Sequence, residues 1–355
     1  MQWQTIQAVR GLAALMVVAF HLTQFVDGRY EWVIWLGLFE RGFAGVDLFF
    51  VISGFVIVYT SQAYVGQPAS LRTYLTKRTI RVYPVYWLTI AAMTLLMALS
   101  LWLRPDGVGR VVAERWPGLD TVLLLPHHRA LNIVSWSLSH ELFFYLLFAC
   151  LILSRRLWVV PAFFLAATLY MAFAKRYYVD GLCTIWEYFW FNPLNAEFAL
   201  GALAGFIFLR KPPALWVGLA AGALGVGWLF LFGETPNEAL SERLLKYGIG
   251  SFLLLVAVLT YEYHRRPAVP AWLIRTGDAS YLIYLIHTPL LLPFTRLLTR
   301  AFPTYSAGVP LACFGLVVLV TVLSIVAHRW VEKPLMRYLS ARFLSKKIPA
   351  SPLPR

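Results

Sequence analysis

Residues 6–26 read IQAVRGLAALMVVAFHLTQFV, a stretch in which Arg10 and His21 are the only titratable groups. About 20 mostly apolar residues are what a helix needs to cross the hydrocarbon core of a bilayer. No basic stretch precedes this run and no small-x-small site follows Phe25, so it is expected to stay in the protein rather than be removed as a signal peptide.

Runs of the same kind recur at 42–64, 82–103, 134–153, 157–174, 188–208, 214–232, 244–262, 277–299 and 308–328. The fifth run is separated from the fourth only by Ser154-Arg155-Arg156. Across the 355 residues the chain is 60% hydrophobic and 14% charged, against about 45–50% and about 25% in soluble proteins. That excludes a soluble globule and a disordered chain alike. The expected fold is all-α: a polytopic membrane bundle of about ten transmembrane helices spanning residues 1–336, followed by a basic tail at 337–355. The chain after Trp330 is expected to lie partly at the interface.

Ten spans place both termini on one side. Of 31 lysines and arginines, 18 fall on that side and 12 on the other, with Arg10 inside the first span. Eleven of the 17 acidic residues fall in the loops of the opposite side. The bias puts both termini in the cytoplasm. It also accounts for most of the formal charge of +14 without nucleic acid as a partner. Cys150, Cys183 and Cys313 show no CxxC or metal-ligand spacing, and neither a disulfide scaffold nor a metal site is expected.

Ionisable groups inside spans are costly and mark functional positions by default. Arg10 and His21 are eleven residues apart, so they share one helix face about 16 Å apart along the axis. Arg10 then sits at the cytoplasmic boundary and His21 in the outer half. As bland alternatives, Arg10 anchors a helix end and His21 makes an interhelical hydrogen bond. The second span opens GFAGVDLFFVISGF and carries Asp47 about one turn in, at a depth like that of His21. A carboxylate beside an imidazole fixes its tautomer and suits it to act as a general base; at the interface the same Asp would cap the helix. Ser53 and Gly54, deeper in that span, suit close helix approach.

The fourth span begins VSWSLSHELFFYL and brings Glu141 to a similar outer level, one turn after Trp136 and Ser137. His140 points to another face. On the inner side, YLTKRTIRVYPVYW carries Lys77, Arg78 and Arg81, with Arg78 and Arg81 projecting together at i, i+3. Two guanidiniums offer bidentate recognition of phosphate, although positive-inside topology alone also explains an RxxR. Pro84 is expected to distort the start of the third helix. Asn192, Asn195, Glu197, Tyr284 and His287 either line a cavity or hold helices together, and Pro289 is expected to kink the ninth span. His127 and His128 lie in a long loop without metal-like partners.

Taken in order, these pieces resemble the membrane proteins of acyltransferase family 3. The resemblance rests on Arg10 and His21 within IQAVRGLAALMVVAFH, on GVDLFFVISGF (Gly45–Phe55), on Arg78, Arg81 and Pro84, and on WSLxxExxFY (Trp136–Tyr145). It continues through SYxIYLIH (Ser280–His287) to Glu332–Pro334. Each motif is weak alone, but six in sequence cover essentially the whole chain. The opening and VDLFFVISGFVIVYT look most like the branch that O-acetylates bacterial exopolysaccharides.

The resemblance implies a multi-pass enzyme of the bacterial inner membrane. It would move an acyl group, usually acetyl, from cytoplasmic acyl-CoA to a sugar hydroxyl of a cell-envelope or secreted glycan. Acetyl-CoA is then the co-substrate, with no metal, and the acceptor is finished glycan or a lipid-linked oligosaccharide approached from within the membrane lipids. Some relatives carry a fused SGNH hydrolase-like domain; this chain runs about two dozen residues past its last span and is expected to be a stand-alone form.

Carried onto these positions, Arg10, Arg78 and Arg81 hold the donor's phosphates, and Trp136, Ser137, Tyr284 and His287 meet substrate. His21 is the general base, with Asp47 or Glu141 orienting it, or alternatively the carrier of a transient acyl group. A flippase or exporter of a lipid-linked glycan is the rival class. No repeated halves are evident to support it.

Overall fold

The computed structural model describes residues 3–26, 39–103, 116–126, 131–173, 189–232, 243–302, 304, 306 and 308–344. Cys183, His127 and His128 lie outside them. Among the described residues the chain forms helices and turns and no strand. The long helices are α1 (Gln4–Val26), α2 (Ala44–Ser61), α3 (Leu71–Leu103), α4 (Trp136–Leu153), α5 (Val159–Phe173) and α6 (Leu194–Arg210). They continue with α7 (Leu215–Phe232), α8 (Ile249–Arg265), the short α9 (Ala271–Asp278), α10 (Ser280–Ala301), α11 (Gly308–Ala327) and α12 (Lys333–Phe343).

Each of the ten apolar runs coincides with a helix, and the protein is an all-α, multi-pass membrane bundle. Among the described residues, eight helical stretches are long and apolar enough to cross a bilayer. The helix of the sixth run, α6, has 17 residues and falls below that length.

The third helix departs from expectation. It starts at Leu71 rather than near residue 82 and continues through Pro84 without a break. The basic segment with Lys77, Arg78 and Arg81 is therefore rigid helix, not loop. A proline removes one intrahelical hydrogen bond but does not end a helix whose neighbours pack on both sides of it. Here Tyr86 Oη donates to Thr121 O at 2.7 Å and Tyr281 Oη to Val82 O at 2.7 Å, bracing α3 around Pro84.

At the far end, α11 passes through a π-turn at His328–Glu332 into α12. The extra residue in that turn faces Glu332 inward, where it is 2% exposed. The helix Lys333–Phe343 runs across the 336/337 boundary expected between bundle and tail.

Small residues set the closest crossings. Between α2 and α6, a Cβ at Gly201 would lie 1.8 Å from Val51 O, and one at Gly54 2.1 Å from Phe198 O. Only glycine lets the backbones meet there, as residues 53–54 suggested. Helix α1 is held in the same way against α9, where a Cβ at Gly277 would lie 1.8 Å from Gln7 O.

The first turn of α1 is capped from a distance. Glu262, at the end of α8, accepts the amide of Gln4 at 2.6 Å and that of Thr5 at 3.1 Å, and the Thr5 hydroxyl also donates to it. A carboxylate here meets orphan N–H groups at the positive end of the helix dipole. These two contacts fix the height and rotation of α1, and with it Arg10 and His21.

Two outcomes follow. Gly277→Ala pushes a methyl group into the α1 backbone and should cost about 1–3 kcal/mol. Glu262→Ala uncaps α1 at about 0.5–2 kcal/mol. Thermal unfolding of detergent-purified protein measures both; an unchanged midpoint for Gly277→Ala contradicts the packing described.

Candidate active site

A cavity of about 320 Å³ lies among α1, α2, α3, α4, α10 and α12. Arg10, Lys77, Arg78 and Arg81 line it together with a single carboxylate, Glu141. The wall continues with Val46, Phe49, Phe50 and Ser53 from α2, Ser137 and Tyr145 from α4, and Tyr281 and Tyr284 from α10. Met336 of α12 closes part of it. The cavity is thus cationic where α1 and α3 begin, and aromatic where α2 and α4 begin.

The cations are held by short, specific contacts. Arg78 donates to Ser61 Oγ at 2.8 Å and Thr60 Oγ1 at 3.0 Å, and its guanidinium lies 5.1 Å from the Tyr145 ring centre and 5.3 Å from that of Tyr74. Its Nε is buried with no hydrogen-bond partner among the described residues. Arg81 stacks over Tyr281 at 5.0 Å and meets Glu332 at 3.5 Å, while Glu332 also accepts from His328 at 2.8 Å. Lys77 donates to Tyr64 Oη at 2.8 Å, and Arg10 to Gln7 at 3.4 Å. Stacked guanidiniums with donors left over suit a polyanion.

Glu141 is not beside His21. It accepts from Tyr145 Oη, one turn along α4, and its nearest charges are the cavity arginines. Asp47 is not beside His21 either. It is fully buried and forms a two-point ion pair with Arg243, Nε to Oδ1 and Nη2 to Oδ2 both at 2.8 Å. Glu197, also fully buried, lies against the same pair. The expectation that either carboxylate orients His21 is corrected. A carboxylate in an apolar helix takes the nearest cation, and for Asp47 that is an arginine from the segment before α8.

What meets His21 is His287. Nε2 of His287 lies 3.2 Å from Nδ1 of His21, with ring centres 4.9 Å apart. Neither ring lines the cavity. The link between them is Tyr284, one turn before His287: its ring packs 5.9 Å from that imidazole and 6.1 Å from Phe49, and its hydroxyl is 2.8 Å from Ser137 Oγ. Ser137 and Tyr284 both line the cavity. Trp136 does not; it is 36% exposed and packs edge-on against Phe50 and His140. His140 turns away to Asn195 at 3.0 Å.

Asn132 was missed in the sequence. Pro289 has no N–H to give Leu285 O, four residues earlier, and Asn132 Nδ2 donates to that carbonyl at 2.7 Å. Asn132 Oδ1 in turn accepts from Thr288 at 3.1 Å. The proline was a visible signal that a carbonyl goes free, but not of which donor fills it. Arg243 was likewise counted only as a loop charge.

Arg243→Met leaves Asp47 buried without its cation and should cost about 3–5 kcal/mol, with part recovered by adding Asp47→Asn. Thermal unfolding reads this, and an Arg243→Met midpoint equal to wild type contradicts the pairing.

The acyltransferase domain family matches residues 3–329. The chain is 30% identical to the exopolysaccharide production protein ExoZ of Rhizobium meliloti (strain 1021), over 86% of this chain and 92% of that protein. It is 26% identical to the acyltransferase MdmB of Streptomyces mycarofaciens, over 95% and 92%. It is also 26% identical to a putative membrane-bound transacylase, BcsY, of Komagataeibacter xylinus, over 94% and 83%. No solved structure matches it significantly. With the match running through nearly every helix described above, the chain belongs to acyltransferase family 3 and is a membrane acyltransferase.

Proposed function

We propose that this acyltransferase takes an acetyl group from acetyl-CoA on the cytoplasmic side of the bacterial inner membrane and transfers it to a sugar hydroxyl of an exopolysaccharide or its lipid-linked precursor. The observation that carries the reading is the cavity: four cations and one carboxylate line it, with Glu332 outside the lining meeting Arg81, at the end of a pocket that turns aromatic toward Tyr284. Cationic side chains without matching acids are expensive inside a membrane protein unless an anionic ligand completes them. The phosphates of acyl-CoA are such a ligand. Arg78, Arg81 and Arg10 are assigned to them, with Lys77 joining the set.

Phosphates at that end direct the pantetheine arm along the cavity toward Ser137 and Tyr284. His21 lies one further step outward, past Tyr284 and beside His287. In this reading the acceptor hydroxyl reaches His21 from the outer side and the thioester comes to it past Tyr284. His21 takes the hydroxyl proton, the sugar oxygen bonds to the thioester carbonyl carbon, the C–S bond breaks, and the proton passes to the departing sulfur. No net charge is created. The acceptor class is supported by the similarity to the exopolysaccharide production protein ExoZ.

In a deletion strain complemented with His21→Ala, O-acetyl content of the secreted polysaccharide should fall by about 10²–10⁴-fold, the usual share of a general base. The variant protein should still be present in the membrane. Full acetylation would remove His21 from the chemistry. Arg78→Ala with Arg81→Ala should weaken acetyl-CoA binding about tenfold to a hundredfold for each charged hydrogen bond lost. Binding equal to wild type would return those arginines to topology.

A further inference from the structure

His21 and His287 come from helices 266 residues apart and make a direct ring-to-ring hydrogen bond, Nδ1 to Nε2, at 3.2 Å. His287 is fully buried and His21 partly so. Each ring also places its Nδ1 over the carbonyl one turn earlier on its own helix. His21 Nδ1 is 3.0 Å from Val17 O, and His287 Nδ1 is 3.1 Å from Ile283 O.

These three contacts determine where the protons sit. A carbonyl oxygen only accepts, and a neutral imidazole has one N–H and one lone pair. His287 therefore donates from Nδ1 to Ile283 O, which leaves its Nε2 as an acceptor. The nitrogen facing that acceptor, Nδ1 of His21, must carry the hydrogen, shared with Val17 O in a three-centre bond. The remaining nitrogen of His21, Nε2, is then the lone-pair nitrogen, and it has no partner among the described residues. The reverse arrangement would set two ring lone pairs against two carbonyl oxygens.

We propose that His287 is a positioning residue that locks His21 in the Nδ1–H tautomer, so that Nε2 of His21 is the atom that takes the acceptor's proton. This rests on the reading of His21 as general base given above. When Nε2 is protonated, the Nδ1–H bond to His287 becomes charge-assisted and strengthens as the imidazolium forms. A carboxylate usually does this in hydrolytic triads. A neutral ring does it here without an extra charge in an apolar layer, where an ionised group is costly. The two acids that sequence reasoning offered for the task are committed elsewhere, Asp47 to Arg243 and Glu141 to Tyr145.

The tautomer is read without an acceptor. The chain has seven histidines, so protein labelled with ¹⁵N in histidine gives a small set of ring-nitrogen resonances, with His21 assigned by its loss in His21→Gln. The expected wild-type spectrum shows His21 protonated at Nδ1 and bare at Nε2. His287→Gln, which keeps an acceptor oxygen, should preserve that tautomer and hold acetylation within about tenfold of wild type. His287→Leu should mix the tautomers and lower acetylation at least about a hundredfold, within the range of lost general-base catalysis, with acetyl-CoA binding unchanged.

A wild-type His21 carrying its proton on Nε2 overturns the proposal while leaving the role of His21 to the His21→Ala result. Equal acetylation in His287→Leu and wild type also overturns it. Full acetylation by His21→Ala overturns the base reading, and the proposal with it, whatever the spectrum.

Discussion

Charge buried among apolar helices is tolerable only where a partner from another helix meets it, and that requirement organises this bundle. Glu262 of α8 caps α1, Arg243 closes on Asp47 of α2, and Glu332, turned inward by a π-turn, meets Arg81 of α3. Each pair joins segments some 200 residues or more apart in the chain. Together they fix α1, α2 and α3, three of the six helices that line the cavity. The cations left over there, without acids to match them, are what set this cavity apart from the rest of the core.

The span pattern was legible because the bilayer imposes a length and a composition on every crossing, and ten runs of that kind became ten helices. The roughly three extra turns at the start of α3 were not. Their basic residues read as loop by composition, although a helix whose polar side faces a ligand cavity has the same composition. The later start of α6 was hidden too, because the apolar residues 188–191 precede the helix, which begins at Leu194.

At the site, the residues were legible and their pairings were not. Arg10, Arg78, Arg81, Ser137, Glu141 and Tyr284 all line one cavity. Depth along separate helices suggested that Asp47, His21 and Glu141 would meet. Depth alone does not fix rotation about the helix axis, and rotation sends the three side chains to different partners. Asp47 goes to Arg243, Glu141 to Tyr145, and His21 to His287. The general lesson from Asn132 and Pro289 is similar: a sequence can show that a polar group needs a partner long before it shows which one.

The central claim is that the cationic cavity holds the acyl donor with its reacting end directed past Tyr284 toward His21. A structure of the protein with a non-reactive thioether analogue of acetyl-CoA tests it most directly. The account predicts phosphate density against Arg78 and Arg81 and the acyl end beyond Tyr284, within reach of His21. A donor bound outside this cavity, or one whose acyl end points away from His21, would contradict it.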